Sequence, residues 1–138
     1  MLSPSARCLL LIPAFNERRS IGEVVDRVRN TGLDLDVLVV NDGSRDDTAA
    51  IARAHGAIVV SHPFNLGYGA ALQTGYKFAL QNGYDHVVQM DADGQHDPAY
   101  IPELLAPVRA GEADVVIGSR FVEASGYEMG GARTAGRA

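Results

Sequence analysis

Residues 85–97 read DHVVQMDADGQHD, and the reading of this stretch decides how the rest of the chain is organised. Val87, Val88 and Met90 form a short apolar run that suits a buried strand better than a helix. The second half turns abruptly polar, with three carboxylates and a glycine. The pattern predicts a strand that ends at a charged turn. Asp91 and Asp93, two positions apart where extended chain becomes turn, can approach one point, and neighbouring carboxylates repel unless a cation lies between them. A hard divalent ion such as magnesium or manganese answers that need, because it takes oxygen ligands and keeps places for water and phosphate. A solvated acidic turn accounts for the same spacing, since Asp and Gly favour turns for backbone reasons.

Working outward, the flanking segments repeat a strand-then-helix rhythm. Cys8 to Ile12 reads as a buried strand stopped by Pro13. The loop PAFNERR follows, and Ser20 with Glu23 three positions on suggests a capping box opening a helix at Ile21. Ile21, Val24, Val25 and Val28 recur at helical spacing until Thr31 and Gly32. Asp36 to Val40 is a second strand with an unbroken apolar centre, as in parallel sheet covered on both faces. Asp46 or Asp47 can cap a helix running to about His55, Gly56 closes it, and Ala57 to Val60 gives a third strand. A long helix is expected from near Gly67 to Gly83. Gly67 and Gly69 could expose backbone N–H groups to a ligand, whereas Gly69 and Gly75 could let the helix lie close on the sheet, and close packing is the favoured reading. After the acidic turn, Pro98 and Pro102 open a helix bearing Leu104, Leu105 and Val108, which Pro107 should kink or end, and Asp114 to Gly118 is a fifth strand.

This alternation predicts an α/β fold with a doubly wound, mostly parallel sheet and right-handed crossovers in a single domain over residues 1–120. Ligands of such sheets bind beyond the carboxyl ends of the strands, where the strand order reverses. The polar segments fall at those ends: Pro13 to Glu17, Asn41 to Ser44, Asp91 to Gln95, and Ser119 with Arg120. Residues 121–138, rich in glycine and alanine, have little to bury and are expected to form a mobile tail at the start of a missing further element.

Composition narrows the partners. A chain of 138 residues that is 46% hydrophobic can build one real core. A net charge of -5 without a run of Lys or Arg argues against a nucleic-acid or anionic-membrane face. The single Cys8 cannot form an internal disulfide and fits a reducing compartment, so a cytoplasmic location is expected. The run CLLLI is too short to span a bilayer. Membrane association would therefore come from a partner or from further chain. Of the four histidines, His55, His62 and His86 read as structural, His96 lies beside the acidic turn, and no spacing suits zinc.

Five segments in order, LIPAFNE, VVNDGSRDDT, NLGYGAALQTGYKFA, QMDADGQHDP and DVVIGSRF, resemble the nucleotide-binding half of a GT-A glycosyltransferase of family 2. The likeness is to the dolichol-phosphate and polyprenyl-phosphate sugar synthases, and it covers most of the chain from Cys8 to Phe121. The resemblance implies that Pro13, Ala14 and Glu17 line the nucleotide pocket and that Asp42 sits against the base. It implies that Asp91 and Asp93 form the DxD motif that binds magnesium or manganese and the donor's diphosphate or ribose, with Gln95 as a third metal contact. Arg120 and Arg133 match positions that hold the acceptor's phosphate.

The reaction implied is inverting transfer of a sugar from a UDP- or GDP-sugar to a lipid phosphate, at the cytoplasmic face of a membrane. A phosphate acceptor, with a second pKa of about 6, needs little help from a base. A hydroxyl acceptor would need one, and no convincing base follows the fifth strand. Relatives continue with an acceptor-binding half, so this chain is expected to bind a nucleotide sugar but to transfer it poorly. Two alternatives stand beside this reading. One is a catalytically silent nucleotide-sugar-binding domain. The other is a phosphatase of the haloacid dehalogenase type with Asp91 as nucleophile, although Gln95 stands where that family has threonine. An EF-hand loop starting at Asp91 fails, because His96 and Pro102 occupy its glycine and glutamate positions.

Overall fold

The computed structural model describes residues 7–94, residue 103, residues 115–118 and residues 132–135. In chain order the elements are β1 (Cys8–Ala14), α1 (Ile21–Asn30), β2 (Asp36–Asn41), α2 (Thr48–Ala54), β3 (Ile58–Ser61), α3 (Tyr68–Gln81), β4 (His86–Gln89), β5 (Val115–Gly118) and β6 (Ala132–Ala135). They build one sheet in the order β3-β2-β1-β4-β5-β6. Strands β1 to β5 pair in parallel, and β6 joins β5 antiparallel. This is the doubly wound, mostly parallel sheet that the alternation implied.

The apolar runs form central strands because both of their faces are covered. Leu10, Ile12 and Ala14 of β1 pack with Ile21, Val24, Val25 and Val28 of α1, while Leu9 and Leu11 meet Ala71 and Ala79 of α3 on the other face. Leu9 through Ile12 are fully buried. Helix α3 reaches the sheet through Gly75, where a Cβ would stand 2.3 Å from Leu11 Cδ1, so the packing reading of that glycine holds. The same reading fails at Gly69, where an added Cβ would meet nothing within 4 Å.

Three further expectations are corrected. Pro13 does not stop the first strand but pairs with Val40 inside β1. Pairing of β1 with β4 ends at Leu11 and Gln89, and the Ala14 carbonyl points to β2, where it accepts the Asp42 N–H. By alternation, the N–H that Pro13 lacks falls on the β4 side, after that ladder has ended, and costs nothing there.

The Ser20–Glu23 capping box does not form. Ser20 occupies the N-cap position without a side-chain cap, and Glu23 instead pairs with Arg27 at 2.6 Å. Finally, Ala132–Ala135 is a strand, not part of a mobile tail. It carries no apolar period that a sequence reading could use, but its backbone satisfies the open ladder of β5 from Val115–Ala135 to Gly118–Ala132. The rest of 121–138 and the expected helix after Pro98 lie outside the described residues, apart from the helical, exposed Glu103.

Candidate active site

Strands β1, β2 and β3 run outward in one direction, and the chain then crosses back to lay β4 on the other side of β1. The order thus reverses between β1 and β4, and the connections leaving their carboxyl ends diverge to leave a crevice. A cavity of about 430 Å³ opens there. Its lining includes Pro13, Ala14 and Glu17 after β1, Asp42 after β2, Gly67, Tyr68 and Ala71 at the start of α3, and Asp91 and Asp93 after β4. Six of the predicted site residues, Pro13, Ala14, Glu17, Asp42, Asp91 and Asp93, therefore meet in one place. Gln95 and Arg120 lie outside the described residues. Arg133 stands in β6 opposite Ile117, and its side chain is likewise outside them.

Asp42 is nearly buried, 4% exposed, and is held by protein donors. Its Oδ1 accepts the Leu66 N–H at 2.8 Å, its Oδ2 accepts the Gly67 N–H at 3.0 Å, and His62 Nδ1 donates to Oδ1 at 2.8 Å. The Gly67 N–H, one of the donors read as open to a ligand, is spent here. A carboxylate has about four lone-pair positions, so one on Oδ2 is left. Burial would push this carboxyl up in pKa, but the hydrogen bonds from His62, Leu66 and Gly67 and the attraction of the imidazole outweigh it and hold the group below the usual range. The other imidazole nitrogen of His62 lies 2.7 Å from Thr74 Oγ1 on α3. Gly43, at φ 70, lets this turn close against the 63–66 loop, since a Cβ there would stand 2.2 Å from the Phe64 carbonyl carbon.

The loop after β1 is latched to the loop after β2. Asn16, in the left-handed region at φ 53, donates its N–H to Ser44 Oγ at 2.8 Å and accepts the Arg45 N–H at 2.9 Å. The Glu17 N–H reaches Thr48 Oγ1 at 3.0 Å, and the Arg18 N–H reaches Asp46 Oδ2 at 3.3 Å. Asp47 holds the N-cap position of α2 without a side-chain cap, and Asp46 before it accepts both the backbone N–H and the hydroxyl of Thr48. Ser20 Oγ lies 2.6 Å from the Ala92 carbonyl oxygen, between the two aspartates of the acidic turn, and 3.1 Å from Glu17 Oε2. Glu17 and the turn are thus registered against one hydroxyl.

Four carboxylates, Glu17, Asp42, Asp91 and Asp93, line the cavity, and none of its described lining residues is Lys, Arg or His. Among the described residues no three acidic, histidine or cysteine side chains converge as a complete metal cage. The oxygen-only donor set of Asp91 and Asp93 fits a hard divalent cation that fills its remaining positions with water or ligand oxygens. The first turn of α3, at the positive end of the helix dipole, faces the same space through Gly67 and Tyr68.

Residues 10–128 match the family model described as glycosyl transferase family 2. The chain belongs to glycosyl transferase family 2. It is 41% identical over 128 residues to the polyprenol monophosphomannose synthase of Mycolicibacterium smegmatis, a match covering 86% of this chain and 47% of that protein. It is also 41% identical over 121 residues to the undecaprenyl-phosphate mannosyltransferase of Micrococcus luteus, covering 84% and 49%. Among solved structures, glucosyl-3-phosphoglycerate synthase from Mycobacterium tuberculosis, in complex with Mn2+, uridine diphosphate and glucosyl-3-phosphoglycerate, superposes with a TM-score of 0.66. The identity is 31%, covering 83% of this chain and 44% of that chain. The chain spans about half the length of the curated relatives it matches. Family membership sets aside the phosphatase alternative for Asp91.

His62, Ser20, Thr48, Tyr68 and Gln89 are site residues that the sequence reading missed or misread. The contacts that tie them to the site, Thr48 to Glu17, Ser20 to Ala92, His62 to Thr74 and Gln89 to Tyr68, span 12 to 72 positions, beyond the reach of any local pattern.

Proposed function

We propose that this chain provides the donor-binding site of an inverting, metal-dependent glycosyltransferase. It would take a sugar from a UDP- or GDP-sugar and pass it to a polyprenyl or dolichyl phosphate. The observation that carries this reading is the charge of the cleft: four carboxylates and no cationic side chain among its described lining residues. Such a cleft repels a pyrophosphate by itself, and a divalent cation held by Asp91 and Asp93 would offset their two charges and offer open coordination positions to phosphate oxygens. The named activities of the polyprenol and undecaprenyl relatives and the Mn2+ and uridine diphosphate of the solved neighbour support the same assignment.

The side chains divide the work as follows. Asp42 offers its remaining Oδ2 lone pair to an N–H on the edge of the base, and its three internal hydrogen bonds keep it ionised and fixed. Pro13 and Ala14 give the pocket an apolar wall. Asp91 and Asp93 hold the cation, Gln95 is its third protein contact, and the first turn of α3 faces the anionic part of the ligand. A bound magnesium or manganese ion supplies Lewis-acid stabilisation of the charge that develops on the departing diphosphate. Arg120 and Arg133 take the acceptor phosphate, which is already an anion near neutral pH and needs no base.

The proposed location is the cytoplasmic face of a membrane. No described helix is long and apolar enough to cross one. The test is a transfer assay in manganese with GDP-mannose, UDP-glucose and UDP-N-acetylglucosamine against a short polyprenyl phosphate, using the chain alone and the chain joined to the second half of the polyprenol monophosphomannose synthase it resembles. A glycosyl phosphoprenol with inverted anomeric configuration is expected from one donor. Product of retained configuration, or full turnover in excess chelator, contradicts the proposal.

A further inference from the structure

A second polar chain runs under the floor of the cleft, through Tyr68, Tyr76 and Gln89, residues to which the resemblance assigned no role. Gln89, the last residue of β4, is 3% exposed, and its amide is gripped by two phenols. Tyr76 donates its hydroxyl proton to Oε1 at 2.8 Å, and Nε2 donates to the Tyr68 oxygen at 2.6 Å. The amide is fixed in this orientation by where the two tyrosines sit. Tyr76 packs against the apolar cluster of Leu9, Leu11 and Val87, so its proton has no acceptor besides Oε1 among its described contacts. Tyr68 is 56% exposed and lines the cleft with Asp91. An amide nitrogen only donates, so the Tyr68 oxygen must accept from it, and the phenolic proton remains for a partner on the cleft side.

We propose that Tyr68 is a donor-binding residue whose hydroxyl proton is aimed, by the Tyr76–Gln89 pair, at an oxygen of the diphosphate held beside Asp91. This rests on the reading of the cleft as a nucleotide-sugar site and adds to it a contact that discriminates diphosphate from the rest of the nucleotide. Tyr68→Phe removes one oxygen and leaves the exposed ring in place. Tyr76→Phe leaves the cleft untouched but frees the amide to turn over, which lets Tyr68 donate inward to Oε1.

The experiment is calorimetric titration of the wild-type chain, Tyr68→Phe and Tyr76→Phe with UDP and GDP in manganese. Binding of uridine and guanosine is followed in parallel by ligand-observed NMR. Loss of a hydrogen bond to a charged group predicts diphosphate binding weaker by about tenfold or more in Tyr68→Phe. A smaller weakening is expected in Tyr76→Phe, with nucleoside binding unchanged in both variants. Wild-type affinity for diphosphate in Tyr68→Phe, or equal weakening for diphosphate and nucleoside, overturns this inference while leaving the site assignment intact. Failure of the wild-type chain to bind either diphosphate in manganese removes the site assignment, and this contact with it.

Discussion

Asp42 Oδ1 and His62 Nδ1 meet at 2.8 Å beneath the cleft, with their side chains only 6% and 9% exposed, and through this contact the turn after β2 is tied to the chain leaving β3. Thr74 on the far side of the imidazole extends the tie to α3. A carboxylate that serves three internal donors in a nearly dry place is a structural clamp as well as a pocket residue. Replacing Asp42 by Asn keeps the shape but halves the acceptor capacity and removes the charge. Asp42→Asn is expected to cost about 2–3 kcal/mol of folding stability, measured by urea denaturation at neutral pH.

The same carboxylate sets an acid limit. Its folded-state pKa lies below the ordinary value of 3.8, so the unfolded chain takes up the proton first as the pH falls. The contribution is therefore complete above the ordinary value and is lost as the pH falls through the folded one. Urea midpoints measured down a pH series should drop more steeply for wild type than for Asp42→Asn below about pH 4. Parallel curves would assign the acid sensitivity elsewhere.

Ser20 and Glu23 separate the sequence expectation from the structure. Glu23 makes only an exposed i,i+4 pair with Arg27, and Glu23→Ala should cost no more than about 0.5 kcal/mol. Ser20→Ala removes the hydroxyl bound to the Ala92 carbonyl at 2.6 Å and should cost about 1 kcal/mol while weakening manganese binding, because the turn between Asp91 and Asp93 loses its anchor. Equal effects of the two substitutions would restore the capping box.

Gly75 and Gly69 lie in the same helix and predict opposite outcomes. At Gly75 a methyl group would overlap Leu11, which is fully buried and has no room to yield, so Gly75→Ala should destabilise by about 1–3 kcal/mol despite the better helix propensity of alanine. At Gly69 nothing stands in the way, and Gly69→Ala should be neutral or raise stability by up to about 1 kcal/mol. Melting temperatures of the two variants check this.

Much of this fold is legible from local chemistry. The buried runs of β1 and β2, the helical period of α1 and the glycines closing α2 and α3 each announce themselves within a few residues, and the alternation then dictates the parallel sheet. The convergence of Pro13, Glu17, Asp42, Asp91 and Asp93 follows from the same rule, because polar residues at strand ends meet at the switch point. What is not legible depends on distant pairing. Pro13 reads as a stop because nothing local says that its N–H side has no neighbour. Ser20 reads as a cap because its acceptor, Ala92, is 72 residues away. Strand β6 has no apolar alternation to mark it and pairs along the backbone ladder of β5. His62 reads as a loop residue until the fold places Asp42 and Thr74 on either side of it.

The central claim is that Asp91 and Asp93 hold a cation without which a diphosphate cannot enter this acidic cleft. It is tested most directly by thermal shift of the wild-type chain and Asp93→Asn with UDP and GDP, each with manganese and with excess chelator. The account predicts that at least one nucleotide raises the melting temperature of the wild-type chain only when manganese is present, and that Asp93→Asn abolishes the rise. A nucleotide-induced rise that persists in chelator and is unchanged by Asp93→Asn would contradict it.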